Sequence, residues 1–240
     1  MAQASLTAKG LCYAYPDGTR ALRGIDLVLN HKERVGLIGP NGSGKSTLLL
    51  CLSGLIAGEG RIELNGQHPG PAGLHELRGR VGLVFQSPDD QLFMPTLHDD
   101  LAFGPINQGL TGDQVSERVQ RVAADLGLSG MLERAPHHLS MGQKRNAAIA
   151  CVLAMRPAVV LLDEPSSNLD PRARRTLMNV PAPLEAALLI ASHDLALVAA
   201  LCPRVVLLDE GQIVADGPAG AILSNAALME THGLEVWPPP

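Results

Sequence analysis

Residues 34–55 constrain this chain more than any other stretch. Arg34-Val35-Gly36-Leu37-Ile38-Gly39 reads as a short buried strand, and Ser46–Leu55 as a helix by its leucine spacing. Between them Gly39-Pro40-Asn41-Gly42-Ser43-Gly44-Lys45-Ser46-Thr47 fits G-x-x-x-x-G-K-[ST] at every fixed position. Glycines at 39, 42 and 44 allow backbone N–H groups to turn toward phosphate oxygens where a Cβ would obstruct the approach. The helix N-terminus adds its positive dipole. Lys45 is placed to reach the β- and γ-phosphates, and Ser46 to offer a hydroxyl to Mg²⁺.

A second strand end carries the complementary chemistry. Val159-Val160-Leu161-Leu162 is wholly apolar and runs straight into Asp163-Glu164-Pro165. The carboxyl end of a parallel strand is where open α/β sheets place their ligands. Asp163 suits Mg²⁺, and Glu164 suits orienting and deprotonating an attacking water.

Short apolar runs recur between helical patterns, at Val81–Phe85, Val159–Leu162 and Leu188–Ala191. They predict an α/β fold with a mostly parallel sheet covered on both faces. Leu11–Tyr15 and Gly24–Leu29 alternate on either side of Pro16-Asp17-Gly18, so the N-terminal stretch reads as β structure, and Arg61–Gly66 reads as a hairpin arm. Helices are predicted over Gln114–Leu126, Gln143–Met155 and Leu195–Leu201. The helical block between 87 and 140, extended by the Gln143–Met155 helix to about 155, reads as a second subdomain. Arg204–Asp209 and Gln212–Ala215 form a hairpin turning at Glu210-Gly211, and the tail at 234–240, ending Trp-Pro-Pro-Pro, is predicted to fray.

Composition excludes several classes. The 240 residues are 46% hydrophobic and 18% charged, far from a disordered chain. Yet no uncharged apolar run approaches the ~18 residues that a spanning helix needs. The N-terminus lacks a basic stretch followed by an apolar one, which argues against a secretory signal. A net charge of −5 and only six aromatic residues, with no basic stripe, argue against nucleic acid as a partner. Cys12, Cys51, Cys151 and Cys202 stand singly without a CxxC pair, as buried thiols in a reducing cytoplasm do.

Further motifs stand between and around these two. Leu139-Ser140-Met141-Gly142-Gln143 resembles the LSGGQ signature that separates ATP-binding-cassette (ABC) ATPases from other phosphate-loop proteins. Gln86 matches the family's Q-loop, Ser167-Asn168-Leu169-Asp170 its D-loop, and Ala191-Ser192-His193-Asp194 its switch-histidine motif, while Tyr15 lies where the family places an aromatic on adenine. The resemblance covers essentially the whole chain. It implies the ABC-ATPase fold, with a parallel core, an N-terminal antiparallel β subdomain and the inserted helical subdomain, in one nucleotide-binding domain over 1–240. It also implies ATP with Mg²⁺, held by Ser46, Gln86 and Asp163, and a head-to-tail homodimer. In that dimer Ser140, Gly142 and Gln143 of one copy meet the γ-phosphate held by Lys45 of the other. Glu164, His193 and Gln86 would form the hydrolytic set, with Asp170 crossing the interface. Met141 in place of a glycine, and Asn146 where relatives usually carry arginine, are departures that bear on turnover.

The stretches 15–25, 84–93 and 136–140 look like energy-coupling-factor (ECF) transporter ATPases, closest to the branch serving cobalt or nickel uptake. In that group the segment here at Asp89–Phe93 lines a groove for a membrane T-component, and a separate S-component binds the cargo. The resemblance thus implies a peripheral subunit on the cytoplasmic face of the cell membrane. Vitamin-type ECF or conventional ABC importers are the near alternative. A non-transport ABC protein would need a long coiled-coil insertion or tandem cassettes, which this chain lacks, and a non-hydrolysing nucleotide-binding regulator would lack Glu164 or His193. His137-His138 has no partner set of metal-ligand spacing. The chain ends soon after Gly233, so the C-terminal dimerisation extension of many relatives is expected to be reduced or missing.

Overall fold

The computed structural model describes residues 4–68, 73–167, 169, 174 and 185–237. Strands β1 (Ala4–Ala14) and β2 (Arg20–Asn30) pair antiparallel across a turn closed by Gly18 N–H donating to the Tyr15 carbonyl. After β3 (Arg34–Ile38) and helix α1 (Lys45–Leu52), β4 (Glu59–Leu64) adds to the other edge of β1. The three-stranded sheet therefore has the order β2-β1-β4. Because β1 is its central strand, it starts well before Leu11, and Leu6 and Ala8 are buried.

Helix α2 (Gly73–Arg80) leads into β5 (Val81–Val84), followed by α3 (Leu97–Asn107), α4 (Gly112–Asp125) and α5 (Met141–Ala154). Then come β6 (Val159–Asp163), β7 (Ala187–Ala191), α6 (Leu195–Leu201), the hairpin β8 (Arg204–Asp209) and β9 (Gln212–Pro218), and the short α7 (Ala219–Leu223) and α8 (Ala226–Thr231). The second sheet runs β5-β6-β7-β3-β8-β9, parallel except for β9.

Successive residues of a strand point to opposite faces, and here both faces are buried. Val160 and Leu162 of β6, Leu188 and Ile190 of β7, and Val205 and Leu207 of β8 join the core under α3–α6. Val159 and Leu161, Ala187 and Leu189, and Val206 and Leu208 join the core shared with α1 and the antiparallel sheet. This is why these strands carry no polar alternation in sequence. Gly36 in β3 allows α6 to approach closely, since a Cβ there would lie 2.5 Å from Val198 Cγ1.

Several boundaries depart from the sequence expectation. The signature helix begins at Met141 rather than Gln143, because Ser140 caps it. The helix after the glycine loop stops at Leu52 rather than Leu55. α2 carries only Leu74 and Leu77 as large apolar residues and buries only Leu77, too sparse a stripe to read from spacing. α7 and α8 are shorter than a periodicity window. The predicted fraying of the tail is corrected at Trp237. Its N–H donates to the Leu223 carbonyl at 3.0 Å and its indole packs against the core, because α7 and α8 leave an apolar surface that the ring covers. Trp237→Ala is expected to lower the unfolding free energy by about 1–3 kcal/mol, measured by urea denaturation.

Candidate functional site

The strand order sets the site. β5, β6, β7 and β3 lie side by side, so the segments leaving their carboxyl ends are neighbours: Gln86 after β5, Asp163 and Glu164 at β6, His193 after β7, and the glycine loop after β3. They line a cleft of about 640 Å³ with Tyr15 on its wall, together with Asn41, Gly42, Gly44, Lys45, Ser46 and Thr47.

The loop is shaped from behind by the chain itself. A Cβ on Gly39 would stand 2.0 Å from the Leu208 carbonyl oxygen, and one on Gly44 2.6 Å from that of Ala21. The β8–β9 turn braces it, with Gly211 N–H donating to the Ser43 carbonyl at 3.0 Å. Gly44 caps α1 without a side-chain bond, so the first-turn N–H groups stay available to an anion. Lys45 folds back over the loop, its Nζ donating to the carbonyls of Gly39 (2.8 Å) and Pro40 (3.0 Å). Burial holds the Lys45 ammonium below its ordinary pKa, against the pull of Glu164 and Asp163. Gly39, Pro40 and Ser43 thus act behind the cleft wall, and Ser43 Oγ is buried without a partner among the described residues. Tyr15 Oη and Thr47 Oγ1 are 2.9 Å apart.

Asp163 is buried and its Oδ1 has no partner among the described residues. Burial raises its carboxyl above the ordinary 3.8, with the neighbouring Glu164 adding to the shift, although Ser46, Lys45 and Arg145 pull the other way. An orphaned carboxylate oxygen beside the Ser46 hydroxyl fits a hard divalent cation, which takes oxygen ligands. Glu164 adopts φ 44°, sparsely populated for a side chain of this kind. Its carboxylate is held by the end of β7: Ser192 Oγ donates at 3.2 Å, His193 N–H at 3.1 Å, and His193 Nδ1 lies 2.8 Å away. The His193 ring is otherwise exposed to the cleft. Asp194 caps α6 through Leu197 N–H and receives a bidentate Arg174.

The signature lies elsewhere. Ser140, Gly142 and Gln143 do not line the cleft. Ser140 Oγ accepts from Gln143 N–H, and Gln143 Oε1 accepts from Ser140 N–H at 2.8 Å, a capping box that sets the start of α5. Met141 is well exposed beside them, while Asn146 donates to the Leu126 carbonyl at the end of α4. Asp170 and Asn168 lie outside the described residues. Sequence reasoning passes over Ser192, Gly211, Gln91 and Arg145. Ser192 sits inside a motif and Gly211 in a turn, but Gln91 and Arg145 act through backbone groups far along the chain and leave no local pattern.

These features bring together the groups of a phosphate-loop nucleotide site, and the chain is similar to known proteins over nearly its whole length. The family model for ABC transporters matches residues 22–167, and the chain belongs to this family, whose transporter ATP-binding members are ATPases. An ABC transporter ATP-binding protein of Streptomyces coelicolor is 48% identical over 236 residues, covering 98% of this chain and 91% of the relative. The energy-coupling factor transporter ATP-binding protein EcfA of Methanothermobacter thermautotrophicus is 43% identical over 234 residues, covering 95% of this chain and 75% of the relative. CbiO1 of Clostridium perfringens, described as part of the ABC transporter complex CbiONQ, superposes with a TM-score of 0.82 at 33% identity, covering 95% of this chain and 94% of that one.

Because the raised Asp163 pKa favours the protonated form in the folded chain, nucleotide-free stability is expected to fall as pH rises from about 3.8 through that raised value. Asp163→Asn is accordingly expected to stabilise the nucleotide-free protein at pH 7 while abolishing Mg-dependent ATPase activity, read by urea melts and phosphate release. Gly39→Ala is expected to lose nucleotide binding, checked by calorimetry with ADP.

Proposed function

We propose that the chain is the ATP-hydrolysing subunit of an ECF-type importer of cobalt or nickel ions, working as a head-to-tail homodimer on a membrane T-component. The observation that carries this reading is the separation of the two halves of the chemistry. Lys45, Asp163, Glu164, His193 and Gln86 share one cleft, while Ser140 and Gly142 stand apart from it. A second copy, packed head to tail, would bring its Ser140 and Gly142 to the nucleotide.

In this reading ATP lies with its adenine on Tyr15 and its phosphates in the loop 39–47, and Lys45 exchanges the carbonyls of Gly39 and Pro40 for phosphate oxygens. Ser46, Asp163 and Gln86 would hold Mg²⁺, which would supply positive charge against the phosphates. Glu164 takes the proton of the attacking water, and Ser192 with the His193 amide fixes its carboxylate. His193 reaches the γ-phosphate from the exposed side of its ring. Asp170 belongs to the dimer face.

The T-component is assigned to the helical block. Phe93, Phe103 and Ile106 are exposed, the two rings meet edge to face at 5.2 Å, and beside them lies a cavity of about 520 Å³ lined by Met94, His98, Leu110 and Val115. Exposed large apolar side chains gathered in this way mark a docking surface. None of the described helices is long and apolar enough to cross a membrane; in this reading the subunit works peripherally on the cytoplasmic face, which its membership of the ABC transporter family supports. Cargo selection is assigned to an S-component. The EcfA-type relative supports the ECF reading over a conventional importer.

Lys45→Ala is expected to lower ATP turnover at least about a hundredfold, and retained turnover would mean the loop has been misread. Glu164→Gln is expected to accumulate an ATP-bound dimer with Mg-ATP, visible by light scattering, whereas a purely monomeric variant would overturn the closing dimer. Co-expression with neighbouring membrane genes is expected to give Co²⁺ or Ni²⁺ accumulation that the Glu164→Gln variant abolishes; transport of neither ion would exclude this cargo.

A further inference from the structure

The signature helix is strapped to the loop that follows β5 by side chains to which the catalytic scheme gives no part. Arg145, in the second turn of α5, is 1% exposed. Its Nη1 donates to the Phe85 carbonyl at 2.9 Å and its Nη2 to the Gln86 carbonyl at 2.7 Å. Its Nε has no partner, and no ion pair to Arg145 exists among the described residues. Gln91 completes the clamp from the other side: its Oε1 accepts from Phe85 N–H at 3.2 Å and its Nε2 donates to the Ala148 carbonyl of α5 at 2.8 Å. Phe85 is therefore held by its N–H and its carbonyl, through two side chains that both end on α5. On the rim, Lys144 of the same helix pairs with Asp89.

Burying a guanidinium without a carboxylate is unfavourable, and an apolar side chain of similar volume would pack α5 against β5 as well. What arginine adds is a planar fork that fixes two successive carbonyls in one orientation relative to the helix. One of those carbonyls belongs to Gln86, whose side chain lines the nucleotide cleft. The same helix, starting at Met141, carries the Ser140 capping box at its head. An α-helix rises about 1.5 Å per residue and is stiff over one or two turns, so Arg145 joins the two places directly.

We propose that Arg145, supported by Gln91, is a positioning residue that locks the Gln86 loop to the signature helix, so that a displacement of Gln86 by nucleotide carries Ser140 and Gly142 with it as one body. This rests on the head-to-tail reading, in which the position of Ser140 matters to a nucleotide held by the other copy. The coupling is mechanical: Arg145 bonds to the backbone of Phe85 and Gln86, and its only reach into the cleft is the pull of its charge on the Asp163 carboxyl.

The test is made in the Glu164→Gln background, comparing that parent with added Arg145→Met, Arg145→Lys or Gln91→Leu. Three quantities are read: ADP affinity by calorimetry, thermal unfolding, and the ATP concentration giving half-maximal dimer by light scattering. ADP affinity, read without Mg²⁺ so that Asp163 and Gln86 are not engaged through a cation, is expected to stay within about twofold, because no residue lining the cleft is replaced. The ATP requirement for dimer formation is expected to rise about tenfold or more in Arg145→Met, less in Arg145→Lys, which restores a point donor but not the fork, and about threefold in Gln91→Leu. An Arg145→Met protein that unfolds cooperatively and dimerises at the parent's ATP concentration overturns the proposal. If Arg145→Met does not fold, Gln91→Leu decides, and unchanged dimerisation there overturns it equally. A parent that stays monomeric with ATP overturns the head-to-tail reading and the coupling with it, an outcome distinct from a dimerising parent whose variants behave alike.

Discussion

Parallel strands buried on both faces can present polar chemistry only where they end, and this constraint governs the molecule. Leu161 and Leu162, adjacent in β6, enter two different cores, so nothing along the strand body is free to bind a ligand. The order β5-β6-β7-β3 then sets four strand ends next to one another, spaced by about 4.8 Å. Gln86, Asp163, Glu164, His193 and the loop around Lys45 are neighbours for that reason alone, although they are spread over more than a hundred residues of chain.

The ends so gathered hold charge under strain. Among the described residues Lys45 is buried against carbonyls and Asp163 keeps an oxygen without a partner. Each group is costly to desolvate and incompletely compensated. A polyanion with its cation would supply what both lack. Backbone groups stabilise the cradle meanwhile, and the Glu164 carboxylate is kept in place by Ser192 and the His193 amide even without ligand.

Chemistry written in contiguous residues was legible in the sequence. The glycine-rich loop 39–47, the Asp163-Glu164 pair after an apolar run, and His193 after another each stand within a few positions of the strand that places them in the cleft, and the apolar strands betray a doubly covered sheet. What escaped depends on distant backbone. Arg145 looks like one more basic residue after the signature, because its partners are carbonyls some sixty positions away. Gln91 is hidden for the same reason. Trp237 followed by prolines resembles a loose end until α7 and α8, both too short to show a period, are seen to give it a surface. Gly39 was legible as a loop glycine, but its demand comes from Leu208, on a strand the local sequence cannot reveal.

The brace between the glycine loop and the β8–β9 turn has a consequence for how the molecule comes into being. β3 is flanked by β7 and β8, and the loop behind Lys45 takes its shape from Leu208 and Gly211. On the ribosome these partners are made only after some four-fifths of the chain, so the segment 34–47 waits through most of synthesis without the walls that form it. Pairings of such long sequence separation form slowly. A nascent or truncated chain thus carries the nucleotide motif in its sequence without the site, and ATP can favour only the finished fold.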